Sequence, residues 1–277
     1  MTRPTQRPAV ALVTGASSGI GAQAALALQE RGLVVVGAAR RTRPIEELGV
    51  PAVRLDLTEE ASVEAAVSVV QERFGAVDVL VNNAGYGEFG ALEDIPLERA
   101  RSQLEVNVLG AVDLIQRVLP GMRASGHGRI VNVSSLAGRF ASPLGGWYHA
   151  SKFALEALSD SLRMEVQGFG IHVALVEPGY VRTDWHTIAA EQLVLNGSRG
   201  AYQAMSESVA DHLRQAGDTR QACDPTEVAT AIVRASLDAR PRARYLVGRG
   251  SRMAVTAAAT FPTRTFDRMT RSTLGIR

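Results

Sequence analysis

The stretch AVALVTGASSGIG, residues 9–21, decides the fold of this chain. AVALVT (9–14) is a short apolar run that reads as a strand, and TGASSGIG (14–21) turns it into a helix beginning near Ile20. Gly15, Gly19 and Gly21 stand where backbone must turn tightly. The helix that follows offers free N–H groups and a positive dipole end, the combination that accepts a pyrophosphate. A plain strand-to-helix turn also uses glycine, so the rest of the chain has to carry the choice.

Outward from this turn, short apolar runs alternate with helical patterns almost to the end. LVVVGAA (33–39), PAVRL (51–55), VDVLVN (77–82), GRIVNVS (128–134), IHVALVEP (171–178) and RYLVG (244–248) read as further strands, making about seven. Several are apolar on both faces, the mark of a parallel sheet covered by helices on each side. Helix-like segments lie between them at Ile20–Arg31, Glu59–Phe74, about Leu97–Ala124, Tyr148–Gln167 and Pro225–Leu237. This order implies βαβ crossovers and a single-domain, doubly wound α/β fold. Thr58 is the expected N-cap of the helix at 59–74, and Asp224-Pro225 places a capping side chain before a proline at the first helical position. A polar and amphipathic stretch, about 183–220, interrupts the alternation after a strand's carboxyl end, where an insertion tends to cover a ligand.

Bulk properties narrow the class. The chain has 277 residues, 46% hydrophobic and 21% charged, enough for a large core and unlike a disordered polymer. A net charge of +2 does not suit a nucleic-acid binder. The charge is uneven, however: Pro241–Arg277 holds eight arginines against one aspartate. Cys223 is the only cysteine, which rules out an intramolecular disulfide and fits a reducing compartment. MTRPTQRP at the start leads into too short an apolar run for a signal peptide, and no stretch reaches the roughly 18 apolar residues of a membrane span. The expectation is a cytoplasmic protein with an N-terminal tail (1–8), a catalytic domain (9–248) and a basic C-terminal extension (249–277). That extension is read as a solvated terminal helix or tail, with a membrane-surface or partner-binding helix as the alternative.

YHASK (148–152) holds the only lysine among 30 basic residues. Tyr148 and Lys152 are four apart on a helix and therefore neighbours on one face. Together with TGASSGIG, NNAG (82–85), Asn107, Ser135 and PGYVRT (178–183), this order of motifs resembles the short-chain dehydrogenase/reductases, in the single-domain branch with TGxxxGxG and YxxxK. The resemblance spans about residues 9–248. The late PRARYLVG (241–248) with its basic extension looks like the hydroxysteroid and retinol dehydrogenase-like members.

The resemblance implies a Rossmann-type fold and reversible carbonyl reduction by hydride transfer. In the family pattern Ser135 bonds the substrate oxygen, Tyr148 is the acid/base, Lys152 lowers the phenol's pKa and reaches the nicotinamide ribose, and Asn107 holds a relay water. Gly15, Ser17, Ser18, Gly19, Ile20 and Gly21 would line the pyrophosphate, Asp56 and Leu57 the adenine, Asn83, Ala84 and Gly85 the cofactor's inner side, and Pro178, Gly179, Val181 and Thr183 the carboxamide.

The second strand ends GAARRTR (37–43), without the acid that would bind a ribose 2′-hydroxyl and with three arginines. Arg40, supported by Arg41 or Ser17, suits a 2′-phosphate, so NADP(H) is the expected cofactor. Leu144, Trp147, Tyr180 and Trp185 flank the expected site and suit a lipophilic ketone, aldehyde or alcohol. The five histidines show no metal-ligand spacing, and no metal is expected. The family implies a homodimer or homotetramer through the helices at about 97–124 and 148–167. Two other readings stay open: a catalytically silent NADP-binding sensor on the same fold, which has no need of Ser, Tyr and Lys together, and a sugar-nucleotide epimerase or dehydratase. The latter generally shows a different glycine spacing and a longer C-terminal domain.

Overall fold

In a computed structural model, residues 7–197 and 200–276 are described. Most of the N-terminal tail and the last arginine therefore lie outside the described residues. Seven strands, β1 (Val10–Thr14), β2 (Val34–Ala39), β3 (Ala52–Arg54), β4 (Val79–Asn82), β5 (Gly128–Val133), β6 (Ile171–Pro178) and β7 (Arg244–Val247), form one sheet in the order β3-β2-β1-β4-β5-β6-β7. Every pairing is parallel. This is the doubly wound α/β architecture expected from the sequence.

Strand geometry explains the two-sided apolar pattern. Ala11 and Val13 of β1 join one core, with Ala24, Ala25 and Leu28 of α1 (Gly19–Gln29) and Val228, Ile232 and Ala235 of α9 (Pro225–Leu237). The alternate residues Val10 and Leu12 join the other, with Val63 and Val67 of α3 (Glu60–Phe74), Leu114 and Val118 of α5 (Gly110–Ser125) and Val166 of α6 (Gly146–Val166). Leu28 and Ile232 are fully buried. Truncating either to alanine would cost about 2–5 kcal/mol. The strand order reverses direction between β1 and β4, which opens a crevice beyond their carboxyl ends at Thr14 and Asn82.

Some local expectations change. Thr58 does not cap α3. Its N–H and hydroxyl both bond the Asp56 carboxylate, at 3.1 and 2.8 Å, and Glu59 occupies the cap position without a side-chain bond. Asp224 does cap α9, in a reciprocal capping box with Glu227. The long helix near 97–124 is α4 (Leu97–Leu104) joined to α5 by a π turn over Glu105–Leu109. A short α2 (Arg43–Glu46) follows β2. The insertion holds two paired helices, α7 (Trp185–Gly197) and α8 (Gln203–Ala216), and the C-terminal extension holds α10 (Ser251–Thr260) and α11 (Thr263–Thr273). The extension folds back on the body: Phe266 meets Phe140 edge to face at 5.5 Å, and the Leu274 carbonyl accepts from Ser208 at 2.7 Å. Among the described residues, no helix is long and apolar enough to cross a membrane.

Candidate active site

At the crevice, the glycine turn is shaped by its neighbours. Gly15 and Gly19 take left-handed backbone, with φ of +66° and +53°. A Cβ on Gly21 would strike the Gly15 carbonyl and lie 2.5 Å from the Asn83 amide nitrogen. Only glycine lets α1 start this close to the strand. Thr14 joins β1 to the end of β4, its hydroxyl accepting the N–H groups of Asn83 and Ala84 at 3.0 Å each. The Asn83 side chain donates to the Thr14 carbonyl at 2.9 Å. Thr183 approaches the far side of the turn, its Cγ2 3.3 Å from where a Gly19 Cβ would lie. The first turn of α1 carries no acidic residue, and Ser18 makes no side-chain cap bond, leaving its N-terminus suited to an anion.

Arg40 and Arg41 are exposed at the end of β2. Arg40 helps to hold the Asp56 carboxyl below its ordinary range, though the Thr58 N–H is the larger cause. Leu57 sends its side chain into the core beneath Gly110. The residues present therefore fit a dinucleotide: a cradle closed to any Cβ, an uncapped helix start and a basic strand end without a competing acid.

Ser135 caps a short turn after β5, its hydroxyl accepting the Ala137 N–H at 3.1 Å and facing the Pro178 carbonyl at 3.5 Å. The same hydroxyl lies beside Tyr148, in the first turn of α6, and favours its anion. His149 fixes that relationship. Its Nε2 accepts the Ser142 N–H at 3.0 Å, which leaves Nδ1–H to donate to the Ala137 carbonyl at 2.9 Å. Burial pushes its pKa down and keeps it neutral for this double role. Thus the turn bearing Ser135 is pinned to the helix bearing Tyr148.

Lys152 is buried one turn beyond Tyr148 and donates to the Val133 carbonyl at 2.9 Å. Its Nζ is 6.0 Å from the Tyr148 ring centroid. The phenol's pKa is set here by its surroundings more than by this ammonium. Burial dominates, pushing Tyr148 up to about 12 against the opposing influence of the Ser135 hydroxyl, and pushing Lys152 down to about 8 against the pull of Glu156. Asn107 lies in the π turn. Its amide donates to the Tyr86 carbonyl and the Ser151 hydroxyl at 2.9 and 3.0 Å, and accepts the Tyr86 N–H at 3.1 Å. The side chain thus fastens the segment after NNAG to α6, and the widened turn is the kind of helical irregularity that accompanies functional sites.

Not all four expected substrate residues gather at Tyr148. Trp185 stacks obliquely on it, at 5.2 Å, and Leu144 is buried in the same apolar cluster in a left-handed conformation, φ +63°. Holding leucine there costs on the order of 1 kcal/mol. Tyr180 instead bonds His212 of α8 at 2.8 Å, its ring flanked by His186 and His212. Trp147 is half-buried with an unpartnered indole N–H. Phe89, which sequence reasoning missed, lies 5.7 Å from Tyr148 and 5.9 Å from Trp185. It sits in an irregular segment, held by Asn196 of α7 bonding its carbonyl at 2.6 Å, and no periodicity marks it. No cluster of three or more His, Cys, Asp or Glu suited to a metal occurs among the described residues.

Comparison with known proteins bears on the family and the fold. The family model for short chain dehydrogenase matches residues 9–194. A 3-ketodihydrosphingosine reductase of Bacteroides thetaiotaomicron is 36% identical over 244 residues, covering 87% of this chain and 88% of the relative. A short-chain dehydrogenase from Streptomyces avermitilis superposes with a TM-score of 0.80 at 34% identity, covering 92% of this chain and 93% of that one. A metagenomic short-chain oxidoreductase solved in complex with NADP has a TM-score of 0.68 at 29% identity, covering 87% and 97%.

Proposed function

This chain belongs to the short-chain dehydrogenase family, and from that premise we propose that it is an NADP(H)-dependent reductase of lipophilic ketones or aldehydes, working reversibly on the corresponding alcohols. The observation that carries the reading is the convergence of Ser135 and Tyr148 at the crevice, with Lys152 buried one turn behind.

A nicotinamide dinucleotide held at the Gly15–Gly21 turn would supply or accept the hydride. Ser135 and Tyr148 hold the carbonyl oxygen between their hydroxyls and stabilise the charge that develops on it. Tyr148 starts as a neutral phenol, since burial holds its pKa at about 12, and this is the protonation state a donor needs for reduction. Lys152, fixed by the Val133 carbonyl, places a charge near the phenol as its proton leaves. Asn107 keeps the π turn and the segment at Tyr86 in register with α6, and a relay water would be held at this turn. Arg40 would pair with a 2′-phosphate, with Arg41 or Ser17 beside it.

Three observations support a lipophilic substrate: the aromatic cover made by Phe89 and Trp185, the apolar cluster behind it, and a relative whose name specifies a lipid-like ketone. The hydroxysteroid and retinol dehydrogenase-like members are the corresponding branch. Exposed Leu109, Phe153, Leu158 and Met164, on the π turn and α6, support a homodimer or homotetramer through these helices. The test is NADPH consumption over a panel of lipophilic and small carbonyl compounds, comparing native protein with Tyr148→Phe. Turnover lost in the variant, with NADPH binding intact, supports the reading; tyrosine-independent turnover, or none across the panel, overturns it.

A further inference from the structure

Behind the reacting residues lies a buried ionic cluster with no part in the scheme above. Its members come from several elements: Arg139 follows the turn of Ser135, Glu156 and Asp160 belong to the helix of Tyr148 and Lys152, Glu177 is the penultimate residue of β6, and Arg244 comes from β7. Arg244 bonds Glu156 at 3.0 Å, Asp160 at 2.6 Å and Glu177 at 3.0 Å, while Arg139 bonds Glu177 at 3.1 Å. Arg139 and Arg244 serve the two buried carboxylates, Glu156 and Glu177, and Asp160 is shared with Arg163. Glu156 and Glu177 are 6% and 0% exposed, and each keeps one carboxylate oxygen without a partner.

Glu156 is also four residues beyond Lys152, on the same helix face. The two residues close around the Ser135 turn together: a Cβ on Gly138 would lie 2.9 Å from the Glu156 Cγ and 3.1 Å from the Lys152 carbonyl. The groups facing Lys152 are otherwise neutral, namely the Val133 carbonyl from β5, the Tyr148 ring from α6 and, across Gly85, the Asn107 amide oxygen from the π turn.

We propose that Glu156 is a positioning residue for the reaction, its buried carboxylate keeping Lys152 an ammonium and Arg244 holding that carboxylate in place. The inference deepens the reductase reading and rests on it for its catalytic consequence. Burial first, then the charge of Glu156, push the Glu177 carboxyl up, against the pull of Arg139 and Arg244. Asp160 is spoken for by Arg163 at 2.9 Å as well as by Arg244, and lies a further turn away.

Because Lys152 is the only lysine, growth on lysine labelled with 13C at Cε places a single reporter in the chain. Its titration is followed by NMR in native protein, Glu156→Gln, Glu156→Asp and Asp160→Asn. Neutralising Glu156 should lower the Lys152 pKa by on the order of one unit. Glu156→Asp should retain most of the native value, and Asp160→Asn should leave it in place. In turnover, the alkaline limb of kcat should move to lower pH in Glu156→Gln alone. An unmoved Lys152 resonance in Glu156→Gln, or an equal shift in Asp160→Asn, overturns the proposal. If Glu156→Gln does not fold, a Lys152 pKa lowered further by Asp160→Asn than by Glu156→Asp overturns it as well. The titration needs no substrate, so a wild-type protein that reduces no carbonyl overturns the reductase reading while leaving the Lys152–Glu156 coupling measurable.

Discussion

The indole of Trp185 lies 5.2 Å from the phenol ring of Tyr148, centroid to centroid, inclined at 48°. One ring opens the insertion helix α7 and the other stands in the first turn of α6, so the insertion covers the residue proposed to move the proton. Phe89 closes the third side, edge-on to Trp185 at 81°. Trp185→Ala removes the cover. KM for a lipophilic carbonyl substrate should rise about tenfold from lost apolar contact, with a smaller effect on a small carbonyl compound. Equal loss on both substrates would contradict a role in apolar recognition.

Arg40 is exposed and stands where β2 ends, with the cradle of Gly15, Gly19 and Gly21 at the end of the neighbouring strand. Arg40→Ala should weaken NADPH binding by roughly 10- to 100-fold, the loss of one charge-assisted phosphate contact, and leave NADH binding unchanged. Fluorescence titration with the two cofactors reads the ratio. Parallel losses would assign Arg40 a structural role instead.

Lys152 has a folded pKa of about 8 against an ordinary 10.5, because burial disfavours its charge. Between these values the unfolded chain holds the proton and the folded one does not, so stability rises with pH across pH 8 to 10.5. Below that window the native protein carries the full cost of burying the ammonium, on the order of 3 kcal/mol as an upper bound. Lys152→Met should therefore abolish turnover yet stabilise the ligand-free protein at pH 7 by about 1–2 kcal/mol, after loss of the Val133 bond. The gain should shrink as pH approaches 10. Urea unfolding at pH 7 and pH 9.5 tests the sign.

Asn132 sits at the middle of a buried chain, accepting from Asn82 at 2.9 Å and donating to Ser159 at 2.8 Å. It joins β4, β5 and α6. Asn132→Ala leaves the Asn82 amide short of a partner in the core and should destabilise by about 2 kcal/mol. Urea midpoints should fall while NADPH affinity in the folded protein stays within a factor of two or so.

Much of this fold is written in local pattern. The runs at 9–13 and 173–176 are apolar at successive positions because both faces of β1 and β6 are covered there, and Asp224-Pro225 starts α9 through contacts within three residues. YHASK likewise needs nothing but the helical repeat to bring Tyr148 and Lys152 to one face. The errors are local as well. Thr58 has the right residue type for a cap, but the Asp56 carboxylate two residues earlier competes successfully for its N–H and hydroxyl.

The sequence by itself determined the strand-helix alternation, the glycine turn, the basic end of β2 and the identity of the polar residues at the crevice. Each of these depends on neighbours within a turn or a strand, where spacing and residue type suffice. Tertiary structure alone decided that Phe89 and Trp185 cover Tyr148, that Tyr180 turns away to His212, and that His149 pins the Ser135 turn. It alone joined Arg244 to Glu156 across 88 residues of chain. These relationships arise when separate crossovers dock on one sheet. Burial, which raises the phenol's pKa and lowers the lysine's, is likewise a property of the packed assembly that no single segment carries.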